Sequence, residues 1–275
     1  MIGVTGANGY VGGMIAGALA GQGVMRLVRR PAGADDLAWS FATPADVLAE
    51  ALRARGVTRV VHAAWDMQAS RLDELEAGCV AGSARLLEAA SAAGAKVIFI
   101  SSISAFAGAR SAYGKAKLQV EKAVLAQGGL VLRLGLVMGS GGMFGSLRKS
   151  VARAKIIPLI GDGSTPQFLL AEATLVEVVR AAVRGDFDAE TGPVTLANPV
   201  PVAFKVILAR LAREAGQRVK LVPVPWQVFY AGFRTAEALG LRLGFRSDSI
   251  IGFIFQDPAP DFSAQARLGI TPPGW

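Results

Sequence analysis

The chain has 275 residues, 52% of them hydrophobic, and a formal net charge of +8. That length accommodates one large domain or two modest ones around a sizeable core, and the apolar, Gly- and Ala-rich composition argues against disorder. No apolar run reaches the roughly 18–20 residues of a membrane span, MIGVTGANGY reads without a secretory leader, and Cys79, the single cysteine, leaves no intrachain disulfide or Cys-rich metal site.

These features lead us to expect a cytoplasmic protein. Lys and Arg are scattered, and their densest cluster, from Arg26 to Arg30, is short and sits beside a strand. No zinc-finger spacing, RNA-recognition signature or long basic run accompanies them. The balance suits small anionic ligands such as nucleotides, so we expect a small-molecule partner and neither nucleic acid nor membrane. His62 is the only histidine, so a His-based metal site or Ser-His-Asp triad would have to use it; in VVHAAW it reads as a structural residue.

Residues 2–5 form a short β-rich run, followed by Gly6-Ala7-Asn8-Gly9-Tyr10-Val11-Gly12. Val11, Ile15 and Leu19 recur at a spacing of four, one face of a helix. Residues 25–28 read as a second strand. Thr43-Pro44 predicts a helix start, with Thr43 as N-cap and Pro44 at the first helical position. Residues 57–62 give a third strand, and 71–93 a long Ala-rich helix ended by Gly94. The run 96–101, with its apolar VIFI, is a strand of the kind buried on both faces. Ser111 is placed to cap the helix that carries Tyr113, Gly128-Gly129 ends that helix, and 130–134 is the next strand.

Strands and helices alternate to about residue 138, which predicts an α/β fold of the Rossmann type, a doubly wound parallel sheet. The remainder is less regular: GSGGMFG leads into a helix and the loop IIPLIGDGSTPQ, then come another helix and a strand at 194–197. VPVPW, QDPAPDF and ITPPGW place prolines as loops do. We expect a dinucleotide-binding domain from 1–138 with about 167–197, and a smaller substrate lobe from about 139–166 with 198–275.

A strand, then G-x-x-G-x-x-G, then a helix lets backbone approach a pyrophosphate lying on the helix N-terminus. With 33 glycines in the chain, a turn built only for packing is the alternative. After the second strand the chain reads LVRRP, with no carboxylate until Asp35. An acidic residue there would serve the ribose of NAD, whereas Arg29 and Arg30 suit the 2′-phosphate of NADP, or else decorate a surface loop. Tyr113 and Lys117 lie one helical turn apart on one face. An ammonium beside a phenol lowers the phenol from its usual value of about 10 and makes it a usable acid and base. The first turn of a helix favours an anion as well. Alone, Y-x-x-x-K reads equally as a solvated helix face.

TGANGYVG at 5–12, VVHAA at 60–64, the serine pair at 101–102, YGKAK at 113–117 and the LVLRLGLVMG that follows resemble the short-chain dehydrogenase/reductase superfamily. More closely they resemble its extended branch, the NAD-dependent epimerase/dehydratase family. The resemblance is clear over the first 140 or so residues and weaker through IPLIGDGSTPQF and RLGITP. It implies Tyr113 as general acid/base, Lys117 as the residue that tunes it and holds the nicotinamide ribose, and Ser102 as the hydrogen-bond partner of the substrate. Ser101 and Ser104 compete with Ser102, which is preferred because SSISAF lines up with the family's SSxxVY. The implied cofactor contacts are Gly6, Asn8, Gly9, Tyr10, Val11, Gly12, Arg29, Arg30, Tyr113 and Lys117, with the backbone from Val61 through His62, Ala63 and Ala64.

Three departures accompany it. Cys79 stands where the family often has Asn, Ser40 stands where an acidic residue commonly meets adenine, and only ten residues separate Ser102 from Tyr113. The resemblance implies hydride transfer at a secondary alcohol or ketone, with a nucleotide-linked sugar as the family's usual substrate; Arg148 and Lys149, just after GSGGMFG, suit a substrate phosphate or equally read as plain surface charges. A non-catalytic NAD(P)-binding sensor or assembly subunit is the alternative. Family members often dimerise through the helices that here span 71–93 and 111–127.

Overall fold

The computed structural model describes residues 1–241 and 245–275. The chain runs through β1 (Ile2–Thr5), α1 (Tyr10–Ala18), β2 (Val24–Val28), β3 (Asp36–Ala38), α2 (Ala45–Ala54), β4 (Arg59–His62) and α3 (Leu72–Leu75). A π-helical turn (Glu76–Val80) leads to α4 (Ala81–Ala92), β5 (Lys96–Ser102), α5 (Ala112–Ala126) and β6 (Leu130–Leu134). There follow β7 (Leu136–Met138), α6 (Gly142–Arg153), β8 (Ile156–Ile160), β9 (Pro166–Gln167), β10 (Leu169–Ala171), α7 (Glu172–Arg184) and β11 (Val194–Leu196). The last elements are β12 (Val202–Ala203), α8 (Phe204–Glu214), β13 (Lys220–Val224), α9 (Trp226–Ala238), α10 (Ser247–Ile254) and α11 (Ser263–Arg267).

Seven strands form one sheet in the order β11-β6-β5-β4-β1-β2-β3, with every pairing parallel. Side chains of a strand alternate between faces, and here both faces are apolar. Val61, Ile98 and Ile100 pack with Ile15 and Leu19 of α1 and Leu175, Val178 and Val179 of α7 on one side. Val60, Val97 and Phe99 pack with Leu48 and Leu52 of α2, Leu86 and Leu87 of α4 and Val120 and Val124 of α5 on the other. That is the Rossmann-type arrangement the alternation of elements predicts. β1 lies between β2 and β4, so the crevice beside its C-terminal end is the point where strand order reverses and ligands enter such sheets.

A second apolar cluster joins Phe144 and Val151 of α6, Leu159, Leu169, and Ile207, Leu208 and Leu211 of α8. Around it β8 pairs with β13, β9 with β12 and β7 with β10. The C-terminal segment does not stay with this lobe throughout. Ala264 of α11 packs into the sheet's core, and Ala197 N donates to Gln265 Oε1 at 3.0 Å.

Two local expectations need correction. Thr43 does not cap α2: Pro44 is the N-cap residue, and Thr43 Oγ1 instead accepts from Ser40 N at 2.9 Å. The helix read at 71–93 begins at Leu72, ends at Ala92 and is interrupted by the π-helical turn, which carries Cys79.

Candidate active site

The glycine turn is held from both sides. Gly6 has φ +68°, and a Cβ there would stand 2.8 Å from Ala64 N, so β1 and the end of β4 meet at a glycine. Gly9 N donates to Gly6 O at 2.8 Å, and α1 then starts at Tyr10 with Gly9 as an N-cap that offers no side-chain acceptor. The first-turn N–H groups of Tyr10, Val11 and Gly12 are therefore left to other acceptors, at the switch point of the sheet. This uncapped helix end fits the pyrophosphate of a dinucleotide. Asn8 Oδ1 accepts from Arg26 Nη2 at 2.5 Å, which pins the loop to β2. The Tyr10 side chain is engaged elsewhere. Its hydroxyl donates to Glu172 at the start of α7, its ring lies against Gly139, Gly141 and Gly142, and burial together with Glu172 pushes the phenol up to about 12. The Val11 side chain packs against the core.

Next to this turn, Thr5, His62 and Ser83 form a buried chain: Thr5 Oγ1 to His62 Nδ1 and His62 Nε2 to Ser83 Oγ are both 2.8 Å. Burial, then the charge of Lys117, pushes the imidazole down to about 3, so His62 is a neutral structural residue. Ala63 N and Ala64 N both donate to Thr5 Oγ1 at 3.1 Å, which leaves only their carbonyls for contact with a ligand.

Ser102 ends β5, and Tyr113 and Lys117 follow on α5. Ser111 caps α5 by accepting from Gly114 N at 3.1 Å, as the sequence predicts. A Cβ at Gly114 would lie 2.3 Å from Ser104 O, so the glycine after Tyr113 lets α5 press onto the loop that leaves Ser102. The three side chains come together: the Ser102 hydroxyl is near enough to the Tyr113 phenol to lower its pKa, and Lys117 Nζ lies 5.8 Å from the Tyr113 ring centroid. Lys117 is buried, donates to Ile100 O at 2.8 Å, and sits over the rings of Trp65 and Phe99 at 4.1 and 4.5 Å.

That placement reverses one expectation. Burial raises Tyr113 to about 12 against the lowering effect of Ser102, and burial brings Lys117 down to about 7. Apolar rings surround the pair, so each group favours its neutral form. At neutral pH the phenol is a held proton donor and the amine is poised between its two states. The competing serines have other partners. Ser101 is buried and donates to Glu121 Oε1 at 2.5 Å, and Ser104 N and Ser104 Oγ both engage Ser102 Oγ, at 3.2 and 3.3 Å.

Arg29 and Arg30 lie exposed just past the end of β2. The only carboxylate paired in this region, Asp36, is occupied: its Oδ2 accepts from Ala32 N at 2.8 Å and Gly33 N at 3.2 Å, and Arg26 is 3.5 Å from its other oxygen. Ser40, in the place of an adenine-contacting acid, builds a turn by accepting from Ala42 N at 3.2 Å.

Trp65, which no motif marks in the sequence, shapes the site as well. Trp65 packs edge-to-face on Tyr113 at 5.8 Å, and its Nε1 is buried without a partner among the described residues. Cys79 is buried under the same cluster, its Sγ accepting from Asp66 N at 3.2 Å, and burial pushes its thiol up. Arg148 and Lys149 are exposed on α6. Among the described residues no cluster of His, Cys, Asp and Glu could hold a metal ion.

Residues 2–165, more than half of the chain, match the profile of the NAD dependent epimerase/dehydratase family. No curated protein matches the chain by sequence. Among solved structures it is similar to MoeE5 in complex with UDP-glucuronic acid and NAD, with 20% identity, a TM-score of 0.74, and coverage of 100% of this chain and 94% of that one. It is also similar to the UDP-glucose 4-epimerase of Thermotoga maritima solved with UDP-glucose (19% identity, TM-score 0.74, 98% and 93% coverage). A dTDP-4-dehydrorhamnose reductase from Clostridium acetobutylicum shares 18% identity at a TM-score of 0.68, with 92% and 98% coverage. With the profile match over the glycine turn, the Ser102 strand and the Tyr113 helix, the chain belongs to the NAD dependent epimerase/dehydratase family of enzymes.

Proposed function

We propose that the protein is a nicotinamide-dependent epimerase or reductase acting on a secondary alcohol or ketone of a nucleotide-linked sugar, with Tyr113 as its acid/base. The observation that carries this reading is the convergence of Ser102, Tyr113 and Lys117 at the C-terminal edge of β5, on the same edge of the sheet as the uncapped start of α1. Solved structures of similar fold hold UDP-sugars with NAD, which supports the substrate class.

A bound nicotinamide dinucleotide supplies or accepts the hydride. The N-terminus of α1 would hold the pyrophosphate through the N–H groups of Tyr10, Val11 and Gly12. Ser102 Oγ orients the substrate oxygen, and the Tyr113 hydroxyl passes its proton to that oxygen or takes one from it. Lys117, close to half-charged near neutrality, stabilises the phenolate that forms. Ile100 O and the faces of Trp65 and Phe99 fix its position.

NADP is the preferred cofactor in this reading. Arg29 and Arg30 stand past the end of β2 to meet a 2′-phosphate, and Asp36 spends its acceptors on the turn at Ala32 and Gly33. A homodimer through α4 and α5 belongs to the same reading. Screening nucleotide-linked keto-sugars with NADPH and NADH tests the proposal. Turnover should be found, and Tyr113→Phe should lower kcat by at least about 100-fold in protein that still binds the dinucleotide. Full turnover in Tyr113→Phe would remove Tyr113 from the chemistry.

A further inference from the structure

The helix that presents Tyr113 is capped from the other lobe. Ser111 satisfies only one first-turn donor of α5, Gly114 N. The two before it, Ala112 N and Tyr113 N, donate to the two oxygens of Asp248, at 2.7 and 3.0 Å. Asp248 lies in the first turn of α10, far away in sequence. One helical turn later Gly252 brings α10 against the same corner: a Cβ there would meet Ser111 Oγ at 3.4 Å.

The residues just before Asp248 are anchored too. Ser247 N and Ser247 Oγ donate to Glu237 of α9 at 2.7 and 2.9 Å. The Arg246 guanidinium donates to Gln68 O, in the loop beyond β4. One short stretch, 246–252, therefore joins α9, that loop and the N-terminus of the Tyr113 helix. A generic helix cap needs none of this, since Ser111 is already in place.

We propose that Asp248 is a positioning residue for Tyr113: by holding the first-turn amides of α5 it sets the place of the phenol and its proton affinity, and so makes the seating of the C-terminal lobe felt at the acid/base. The start of a helix carries partial positive charge that favours a nearby anion. A carboxylate on those amides offsets that charge and adds a negative one, which disfavours the phenolate. The groups facing Tyr113 are Lys117 and Glu121 on its own helix, Ser102 from β5, Cys79 from the π-helical turn and the Trp65 ring. Those facing Asp248 are Lys115 of α5, Glu237 of α9 and its neighbour Arg246. Burial pushes the Asp248 carboxyl up, against the effect of the two amides.

The inference rests on the acid/base role given to Tyr113, but its test needs no turnover. Tyrosinate absorbance is read immediately after an alkaline pH jump, before the chain can unfold. Subtracting the Tyr113→Phe signal isolates Tyr113 from the other two of the three tyrosines. In folded Asp248→Asn its midpoint should fall by about 0.5–1 pH unit. An unchanged midpoint would overturn the coupling. Should that variant not fold, the parent protein labelled with 15N-tyrosine decides. Its Tyr113 amide resonance should move as Asp248 takes up a proton, above the usual carboxylate range, and a resonance that stays still between about pH 3 and 7 would overturn it. Failure of the enzyme reading shows differently, as loss of dinucleotide binding in a parent whose Tyr113 still responds to Asp248.

Discussion

Lys117 carries a cost that its proposed role would explain. Its pKa falls from the usual 10.5 to about 7 because the side chain is buried, so folding at neutral pH must either strip a proton or bury a charge. The unfolded chain holds that proton up to about pH 10.4. The penalty is therefore full below about pH 7 and fades as pH rises towards 10.4. Lys117→Met should fill the space between Trp65 and Phe99 and stabilise the protein by about 2 kcal/mol at pH 7, with the gain vanishing near pH 10.5. Urea unfolding at the two pH values measures this. A loss of stability at pH 7 would mean that the bond to Ile100 O and the ring contacts outweigh desolvation.

His62 has the same sign in another window. It is neutral in the folded state down to about pH 3, whereas the unfolded chain binds a proton below about 6.5. Stability contributed by His62 is thus intact above 6.5 and declines as pH falls towards 3. His62→Gln, which keeps hydrogen-bonding groups between Thr5 and Ser83, should flatten that part of the stability–pH curve. An equally steep slope in the variant would assign the dependence to carboxylates. The spacing of Tyr113 and Lys117 was enough to read their shared face. The direction of their shifts was not legible, because Trp65 and Phe99, which bury them, come from other elements.

At the scale of elements, α5 depends on what it leans on. Gly114 faces Ser104 O so closely that a methyl group at that position needs backbone to move. Gly114→Ala should cost about 2 kcal/mol and disturb Tyr113 beside it, as thermal unfolding would report; a neutral effect would mean the Ser102–Ala105 loop yields freely. On the inner side of α5, Glu121 is almost wholly buried, accepts from Ser101 and pairs with Arg133 of β6 at 2.6 Å. Glu121→Ala leaves a half-buried guanidinium without its partner and should destabilise by about 3 kcal/mol. A change under about 1 kcal/mol would show that Arg133 finds water or another acceptor.

The central strands were readable because a parallel strand covered on both faces must be a continuous apolar run, as VIFI in β5 is. The strand expected at 130–134 matches β6 residue for residue. The short strands β3, β7, β9, β10 and β12 were not readable. Two or three residues show no periodicity, and except for β3, which pairs with the preceding β2, their pairing partners lie far along the chain. The π-helical turn was hidden for a related reason: EAGCV keeps a helical pattern, and only its packing under Trp65 and Ala116 reveals the extra residue.

At the scale of the whole molecule, the glycine turn, the Ser102 strand and the Tyr113 helix were legible because each is a local pattern at a fixed place in an alternating fold. The contribution of α10 was not. Asp248 reaches Ala112 and Tyr113 across 136 and 135 positions of sequence, and nothing near either partner announces it. The proposed dimer is likewise a property of surfaces and not of motifs. Light scattering at micromolar concentration should give about twice the 28.5 kDa chain mass, and a monomer there would exclude a stable dimer through α4 and α5.

The acid/base role proposed for Tyr113 presupposes a dinucleotide on the start of α1. The most direct measurement is an equilibrium fluorescence titration of the purified protein, freed of copurified cofactor, with NADPH and with NADH. We predict binding of both, NADPH being the tighter, with that preference lost when Arg29 and Arg30 are replaced by Ala. Tighter NADH binding would contradict the role of the two arginines and leave the enzyme standing. Binding of neither dinucleotide to folded protein would contradict the account at its centre.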